Sequence, residues 1–397
     1  MSNVATNLPF EGPDARPGLY VHVPFCLAKC PYCAFHSVTD TGLLGEYAAA
    51  LFSEMEKAAG AFAFRDFDTV YLGGGTPSLL PPGVVEAILS RAARLFGLHP
   101  GASVTLEANP GTVDRKRLAA FRAAGVNRVN FGVQSFRDEN LRFLGRIHSA
   151  DEARRALSAA RDAGFTSPGL DLMYGLPGQD IDAWLSDLSE AVSHAPGHIS
   201  AYILSFEEGT RLSRDRDAGR LKPATEERQA ELFAATHEFL AERGFLHYEV
   251  SNFAAGPGSI SRHNTKYWNG APYLGLGPSA HSYDGRSRWW NAELPGYLAA
   301  AREGRLPVSG REEPSRPERI LEALFLGLRQ SSGIDPAAFT SAFGPRAFSI
   351  LAPAFSRLAD EGLLSLSDGR YRPTVSGMLV ADGMARHLAG ILEEEGR

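Results

Sequence analysis

Cysteine is almost absent from this chain. Three cysteines occur in 397 residues, and all of them lie within eight positions, as Cys26, Cys30 and Cys33. The odd number and the tight spacing do not fit a disulfide framework. A chain that avoids cysteine elsewhere and places three together is expected to bind a metal. Reduced thiolates need a reducing compartment, which predicts a cytoplasmic protein.

Long apolar runs and an excess of positive charge are also missing. No stretch approaches the roughly 18 apolar residues of a membrane span, so we expect none, although peripheral contact with a membrane is compatible with the sequence. The formal net charge of −6 gives no surplus of cations for nucleic acid. Residues 1–13 have no basic region followed by an apolar one, so no signal peptide is expected. With 44% apolar and 22% charged residues, the chain is expected to be globular.

The spacing of the cysteines, C-x3-C-x2-C, favours an iron–sulfur cluster. Three thiolates can hold three irons of a cubane cluster and leave the fourth iron without a protein ligand, which makes that iron a reactive position. The alternative is a zinc site of three cysteines with His22 or His36 as the fourth ligand. Structural zinc usually pairs two separated C-x2-C motifs, and this chain has no second pair.

The same motif follows a short strand and carries Tyr32 just before its third cysteine. In these features it resembles the signature of the radical S-adenosylmethionine (radical SAM) superfamily. The resemblance implies a 4Fe–4S cluster whose open iron is chelated by S-adenosylmethionine. It further implies that one electron from the cluster cleaves this cofactor to a 5′-deoxyadenosyl radical.

Strands and helices alternate along the first half of the chain. Six strand patterns lie between Gly18 and Leu204, and nearly every one ends in a loop rich in glycine, asparagine or charge. This alternation predicts an α/β fold with parallel strands, whose chemistry lies at the carboxyl ends. A doubly wound Rossmann sheet would show the same alternation. The resemblance favours an incomplete (β/α)6 TIM-like radical SAM barrel.

The rest of the chain divides by composition. We expect a tail at 1–17, the barrel at 18–210, an extension rich in histidine and aromatic residues at 211–302, and a C-terminal domain at 303–397. Charge and proline in 303–317 predict a linker there. Asp368-Gly369 between two short apolar runs predicts a β-hairpin. Helices with one hairpin predict a winged-helix-like domain, and its lack of a basic stripe favours a lid or docking role.

A second set of residues follows the predicted strands. Gly73-Gly74-Gly75-Thr76 permits close approach of a ligand, although a glycine-rich turn alone is a weak signal. The order of the polar residues that follow resembles the oxygen-independent coproporphyrinogen III oxidase family. That resemblance implies the following set of S-adenosylmethionine-binding residues: Tyr20, Tyr32, Gly74, Gly75, Thr76, Glu107, Gln134, Arg146 and Asp171.

A histidine motif distinguishes two branches of this family. One branch consists of haem chaperones and carries H-N-x-x-Y-W, which is intact here. The resemblance implies haem binding by His263, Asn264, Tyr267 and Trp268, with His247 and His281 as weaker candidates for a second ligand. Imidazole is a common axial ligand of haem iron. The alternative is a structural histidine within an aromatic cluster.

The sequence therefore predicts a haem chaperone that binds a 4Fe–4S cluster, S-adenosylmethionine and haem. The resemblance implies delivery of haem to respiratory haem proteins, and a homodimer is possible. The alternative is the oxidase itself, which decarboxylates coproporphyrinogen III. Phe35 stands where the oxidase has a further cysteine, and the segment before the first strand is short, so both features count against the oxidase. A zinc-bound interaction protein is a third and weaker hypothesis.

Overall fold

One mixed sheet runs through most of the molecule. The structure is a computed structural model that describes residues 15–395; of the predicted tail, residues 1–14 lie outside this range. The strands are β1 (Gly18–Val23), β2 (Phe67–Gly74), β3 (Leu98–Ala108), β4 (Arg128–Gln134), β5 (Gly169–Tyr174), β6 (His198–Ile203), β7 (Leu246–Glu249), β8 (Asn252–Ala254), β9 (Tyr273–Leu276), β10 (His281–Tyr283), β11 (Arg288–Asn291), β12 (Val308–Glu312), β13 (Leu364–Ser367) and β14 (Arg370–Pro373).

Helices connect these strands and build the C-terminal part. They are α1 (Leu44–Ala61), α2 (Pro82–Phe96), α3 (Arg115–Ala123), α4 (Asp138–Phe143), α5 (Ala150–Asp162), α6 (Ile181–Ser193), α7 (Arg211–Asp217), α8 (Glu226–Glu242), α9 (Arg262–Asn269), α10 (Leu294–Arg302), α11 (Arg316–Leu328), α12 (Pro336–Phe343), α13 (Pro345–Asp360), α14 (Val375–Leu379) and α15 (Ala381–Glu395).

The strand order confirms the predicted fold class. Strands β1 to β6 are parallel neighbours in chain order, and helices connect them. The barrel is incomplete, because β1 pairs with β9 at its other edge and β6 pairs with β8. All six strands that the sequence predicted are present. Their carboxyl ends lie at the same end of the barrel and bring the loops that follow them together.

Alternation along the strands separates the core from the barrel interior. In β1, Leu19, Val21 and Val23 are fully buried in the apolar core, which includes helical residues. The residues between them, Tyr20 and His22, bond to each other on the opposite face, with 3.0 Å between Tyr20 Oη and His22 Nδ1. Successive side chains of a strand point to opposite faces, so the barrel interior receives the polar and aromatic residues.

Strands β7 to β12 extend the sheet at both edges, which the sequence did not predict. They are short, with three to five residues each, so local patterns give little sign of them. β7–β8, β9–β10 and β10–β11 pair locally, whereas β8 with β6 and β9 with β1 join distant segments. The predicted linker at 303–317 contains β12, which pairs with β11 at the sheet edge. Its charged residues, Arg311 and Glu312, are exposed, as expected for an edge strand that must avoid pairing with other chains.

The C-terminal domain has an apolar core of its own, formed by residues between Ile320 and Leu388. The predicted hairpin is present as β13 and β14, and Asp368 and Gly369 have φ angles of 50° and 72°, as a tight primed turn requires. The domain contacts the barrel extension, where the Val250 N–H donates to the Arg329 carbonyl at 3.0 Å. The exact domain boundaries stay a prediction. Within residues 15–395, no helix combines the length and the apolar character that crossing a membrane requires.

A buried carboxylate joins α1 to the barrel extension. Glu54 accepts hydrogen bonds from the Gly277 N–H at 2.8 Å, the Asn291 amide at 2.6 Å and the Tyr297 hydroxyl at 2.6 Å. Burial raises the pKa of Glu54 from 4.5 to about 7, and the three donors oppose this increase. The carboxylate therefore holds three elements together but is costly to ionise.

Glu54 is expected to make stability depend on pH. Its pKa is higher in the folded protein, so the folded state binds the proton more tightly and loses free energy of unfolding as the pH rises from 4.5 through about 7. Relative to Glu54→Gln, the wild type should lose about 2 to 3 kcal/mol between pH 5 and pH 8. Urea titrations across this range measure the difference. Glu56→Gln, an exposed change in the same helix, is the control; parallel stability curves for wild type and Glu54→Gln would contradict the prediction.

Candidate functional site

The cysteine loop begins where β1 ends. Two backbone hydrogen bonds anchor it to the chain that returns from the loop, Cys26 N–H to the Val38 carbonyl at 2.9 Å and Val38 N–H to the Pro24 carbonyl at 2.7 Å. The three thiols are free and partly exposed. The structure thus places all three predicted cluster ligands in one loop at the carboxyl end of the barrel strands.

Two donors approach these sulfurs from other loops. The Thr76 hydroxyl lies 3.5 Å from Cys26 Sγ, and Nη1 of Arg146 lies 3.4 Å from Cys30 Sγ. Burial raises the pKa of the Cys33 thiol, and the neighbouring thiols add to this increase. Hydrogen-bond donors and cations favour thiolate sulfur, which is the form that binds iron.

The two histidines of the zinc hypothesis have other partners. Nδ1 of His22 lies 3.0 Å from the Tyr20 hydroxyl, and Nε2 lies 3.0 Å from the His36 carbonyl oxygen. Burial lowers the pKa of His22 to about 4. His36 Nε2 faces the Leu294 N–H at 3.4 Å. Among residues 15–395, no three histidine, cysteine or acidic side chains are grouped around a position for a single metal ion. In this arrangement both ring nitrogens of His22 and Nε2 of His36 are engaged, which counts against His22 as the fourth zinc ligand.

The glycine turn after β2 lies beside the cysteine loop. Gly74 has a φ of 108°, and a Cβ there would lie 2.5 Å from the His22 ring. A Cβ on Gly75 would lie 2.7 Å from the Phe25 carbonyl oxygen. Both positions therefore need glycine, because a side chain would collide with the first strand and the loop that follows it. The Gly74 N–H donates to Glu107 Oε2 at 3.2 Å.

Two half-buried acids lie in the barrel interior below this turn. Glu107 accepts from the Tyr71 hydroxyl at 2.7 Å, and burial raises its pKa to about 7. Asp171 accepts from the Asn130 amide at 2.9 and 2.8 Å, and burial raises its pKa as well. Both acids line a polar pocket of roughly 410 Å³, a volume that includes its open mouth. These acids suit hydroxyl or ammonium groups of a ligand.

Gln134 and Arg146 are two further residues of the predicted S-adenosylmethionine-binding set. Gln134 ends β4 with a φ of 72°, which is uncommon for a residue with a side chain. Nη2 of Arg146 donates to the Gly132 carbonyl at 2.7 Å. Gln134 Oε1 and Arg146 Nε are buried, and neither has a hydrogen-bond partner among residues 15–395. A Cβ on Gly132 would lie 3.1 Å from Gln134 Nε2 and 3.3 Å from Arg146 Nη2.

These features fit S-adenosylmethionine beside an iron–sulfur cluster. The ligand has a carboxylate for the guanidinium and donor groups for the unpartnered amide oxygen. The three thiols adjoin the glycine turn, where the Thr76 hydroxyl lies 3.5 Å from Cys26 Sγ. Tyr20 and Tyr32 border the same region, since Tyr20 bonds to His22 beneath Gly74 and the Tyr32 hydroxyl lies 3.4 Å from Arg146 Nη1.

The histidine motif lies at the opposite end of the barrel. His263 in α9 is 2% exposed. Its Nδ1 lies 2.8 Å from Thr69 Oγ1, and its Nε2 lies 3.0 Å from the Tyr267 hydroxyl. Burial lowers the pKa of His263 to about 3, so the ring is neutral. A Cβ on Gly18, at the first residue of β1, would lie 3.1 Å from this ring, whereas the cysteines follow the last residue of β1.

The other motif residues point to different neighbours. Asn264 lines the polar pocket. Trp268 lies at the C-terminal domain, where its carbonyl accepts from Gln330 Nε2 at 3.0 Å and the Arg329 guanidinium carbon lies 5.7 Å from its ring. The Tyr71 ring stacks on His263 with 5.1 Å between centroids, and its hydroxyl reaches Glu107. Tyr71 thus links the two ends of the barrel.

The weaker haem candidates have partners elsewhere. His247 stacks on Phe253 with 4.1 Å between ring centroids and places Nδ1 3.0 Å from Nδ1 of His237. His281 is exposed and lies beside Trp290 with 5.8 Å between ring centroids. Their proposed role as second ligands stays a prediction.

Sequence reasoning missed several residues that shape this site. Tyr71, Asn130, His148 and Asp187 are not among the predicted site residues. The available signals were that Asn130 lies in the strand next to that of Asp171 and that His148 lies two residues after Arg146. Asp187 in α6 gave no such signal, because it bonds to Ser135 and Phe136 of a distant loop.

Comparisons with known proteins concern the family and the fold of the chain. The radical SAM superfamily domain matches residues 20–191, and the HemN C-terminal domain matches residues 315–380. Heme chaperone HemW of Mycobacterium tuberculosis is 37% identical, over 96% of this chain and 98% of that protein. The Synechocystis protein of the same name is 37% identical over 81% of this chain and 80% of its own length. The structure of Escherichia coli coproporphyrinogen III oxidase (HemN) aligns with a TM-score of 0.80, at 23% identity, over 96% of this chain and 91% of that chain.

Proposed function

Because this chain belongs to the HemW family of the radical SAM superfamily, we propose that it is a haem chaperone. In this proposal it holds a 4Fe–4S cluster, S-adenosylmethionine and haem, and it passes haem to respiratory haem proteins. The observation that carries the proposal is the presence in one barrel of the three-cysteine loop and an intact H-N-x-x-Y-W helix. The similarity of the HemW proteins along nearly the whole chain supports it.

The residues that would hold the cluster and the cofactor lie at one end of the barrel. Cys26, Cys30 and Cys33 would bind three irons, and Arg146 would pair with the carboxylate of S-adenosylmethionine. When bound, cluster and cofactor together supply one-electron chemistry. The half-buried acids Glu107 and Asp171 would accept hydrogen bonds from the ligand, which favours their ionised forms despite burial.

Haem binding by His263 would require a rearrangement of α9. Both ring nitrogens are engaged, so iron would have to replace the Tyr267 hydroxyl or the Thr69 hydroxyl. The neutral ring is the form that binds iron, and the low pKa keeps it neutral. We propose that α9 opens at its contact with the C-terminal domain, where Trp268 meets Gln330 and Arg329.

His263→Ala is expected to weaken haem binding at least about tenfold, because it removes the proposed iron ligand. Titration with haem, followed through the Soret band, measures the affinity, and iron and sulfide analysis should show an unchanged cluster. His387→Ala, an exposed histidine of the C-terminal domain, is the control.

A second substitution separates ligation from structure. His263→Gln keeps a polar side chain that can bond to Thr69 but does not ligate haem iron as imidazole does. We expect it to lose haem as His263→Ala does while keeping the melting temperature of the wild type. Normal haem spectra for either variant would contradict ligation by His263 and favour its structural role.

The oxidase hypothesis is tested directly. Protein with a complete cluster is incubated without oxygen with S-adenosylmethionine, a reductant and coproporphyrinogen III, and the products are analysed. No conversion is expected if the protein is a chaperone. Formation of protoporphyrinogen IX would make it an oxidase. Phe35, which is 68% exposed, occupies the position of the oxidase's further cysteine.

The remaining parts of the proposal concern the cell. We propose a cytoplasmic protein, because reduced thiols and an iron–sulfur cluster need a reducing compartment. A homodimer and a peripheral contact with a membrane during transfer are compatible with this role. Sedimentation with and without the cluster measures the oligomeric state.

A further inference from the structure

A histidine outside the predicted site joins two of its loops. His148 lies two residues after Arg146, in the turn between α4 and α5, and is 3% exposed. Its Nε2 lies 3.0 Å from the Val133 carbonyl oxygen, and its Nδ1 lies 3.1 Å from Asn109 Oδ1. The ring therefore connects the loop after β3, the end of β4 and the segment that carries Arg146.

The contact with Val133 acts on the backbone of Gln134. The Val133 carbonyl belongs to the peptide that precedes Gln134, whose φ is 72°. The pairing of β4 with β5 is irregular between Gly132 and Gln134. A residue other than glycine keeps a positive φ only when its surroundings hold it there, and such positions cluster at ligand sites.

Arg146 and His148 dock side by side on the end of β4. Nη2 of Arg146 donates to the Gly132 carbonyl at 2.7 Å, and His148 bonds to the next carbonyl along. The turn that carries both residues is thus fixed to the strand that carries Gln134. Loss of the His148 bonds would free Arg146 and Gln134 at the same time.

A second contact holds the residues after Gln134. The buried carboxylate of Asp187 in α6 accepts from the Ser135 hydroxyl at 2.6 Å and from the Phe136 N–H at 2.9 Å. Gln134 is therefore held on both sides, by His148 before it and by Asp187 after it. Neither residue needs to touch a ligand to fix the amide that would.

We infer that His148 is a positioning residue of the S-adenosylmethionine site, which sets the orientation of Gln134 and Arg146. The inference rests on the proposed function, since it assumes that these two residues bind this ligand. Burial and the nearby Arg146 lower the pKa of His148 to about 4, so the ring is neutral and acts through its geometry.

The test compares substitutions that keep or remove the hydrogen bonds. His148→Phe fills the same space without them, and His148→Gln retains a donor for the Val133 carbonyl. With clusters reconstituted, S-adenosylmethionine affinity is measured by calorimetric titration, and iron and sulfide are counted. We expect about tenfold weaker binding or more for His148→Phe, recovery to within about threefold for His148→Gln, and unchanged cluster content.

Thr236→Val is the matched control. Thr236 lies in α8, is equally buried at 1% exposure, and accepts the Nε1–H of Trp184 at 2.7 Å, outside the lining of the polar pocket. Wild-type affinity in His148→Phe would overturn the inference while leaving the proposed function intact. Failure of the wild type itself to bind S-adenosylmethionine would overturn the proposed function. If His148→Phe does not fold, His148→Ala removes the contacts with Val133 and Asn109 without adding volume, and unchanged affinity in that variant would equally overturn the inference.

Discussion

Replacing Cys30 by serine is expected to leave a colourless protein with less than about a tenth of the wild-type cluster iron. A serine hydroxyl is a poor substitute for thiolate as an iron ligand. The chain contains three cysteines in total, so no other thiol can take over. The Arg146 guanidinium, now 3.4 Å from Cys30 Sγ, would also lose this sulfur neighbour. The loss should therefore extend to S-adenosylmethionine binding.

Iron, sulfide and zinc analysis of protein purified without oxygen measures this outcome. The wild type should contain iron and sulfide in equal amounts and little zinc. Lys29→Ala, an exposed change between two of the cysteines, is the control and should keep the cluster. One zinc per chain without sulfide in the wild type would contradict the cluster, as would full iron and sulfide in Cys30→Ser.

The barrel was predictable because its signals are local. Each of the six strands is a short apolar run that ends in a polar or glycine-rich loop, and parallel strands bring such loops to one end. The hairpin at Asp368-Gly369 was predictable for the same reason, since both residues favour positive φ. The cysteines and the Gly74-Gly75 turn adjoin in space because they follow neighbouring strands.

Contacts between distant segments were not predictable. The Tyr267 contact of His263 is local, because the two residues are one helical turn apart. Nothing near His263 in sequence shows that Thr69 takes its other nitrogen, or that α9 closes the barrel end opposite to the cluster loop. His148 acts on a backbone carbonyl and on a loop nearly forty residues earlier in the chain. The positive φ of Gln134 depends on such contacts, because glutamine has no preference for that conformation.

The two proposed binding regions lie at opposite ends of the barrel. The cluster residues lie at the carboxyl ends of the strands, and His263 lies near their amino ends. Tyr71 spans this separation, since it stacks on His263 and donates to Glu107. A ligand that changes Glu107 would therefore change the surroundings of His263 through one residue. Under the proposed function, Tyr71 connects the S-adenosylmethionine site to the haem site.

Arg146→Ala is expected to weaken S-adenosylmethionine binding about 100-fold, the second large effect. Arg146 has a buried Nε with no partner among residues 15–395, while its other two nitrogens are held by the Gly132 carbonyl, the Cys30 thiol and the Tyr32 hydroxyl. The guanidinium is thus fixed with one donor free for a carboxylate. Truncating one partner of a buried, hydrogen-bonded charge pair typically costs about 2 to 5 kcal/mol of binding free energy, which is consistent with this loss of affinity.

Arg146→Lys tests whether geometry or charge matters. Lysine keeps the charge but lacks the planar fork, so it cannot hold Gly132 and Cys30 while presenting a further donor. We expect Arg146→Lys to bind S-adenosylmethionine at least about tenfold more weakly than the wild type. Arg142→Ala removes an exposed cation four residues earlier and should bind as the wild type does. If Arg146→Ala and the wild type bind S-adenosylmethionine with equal affinity, and the cluster is intact in both proteins, then Arg146 is excluded as the carboxylate ligand. Its contact with the Cys30 sulfur would then be its remaining role.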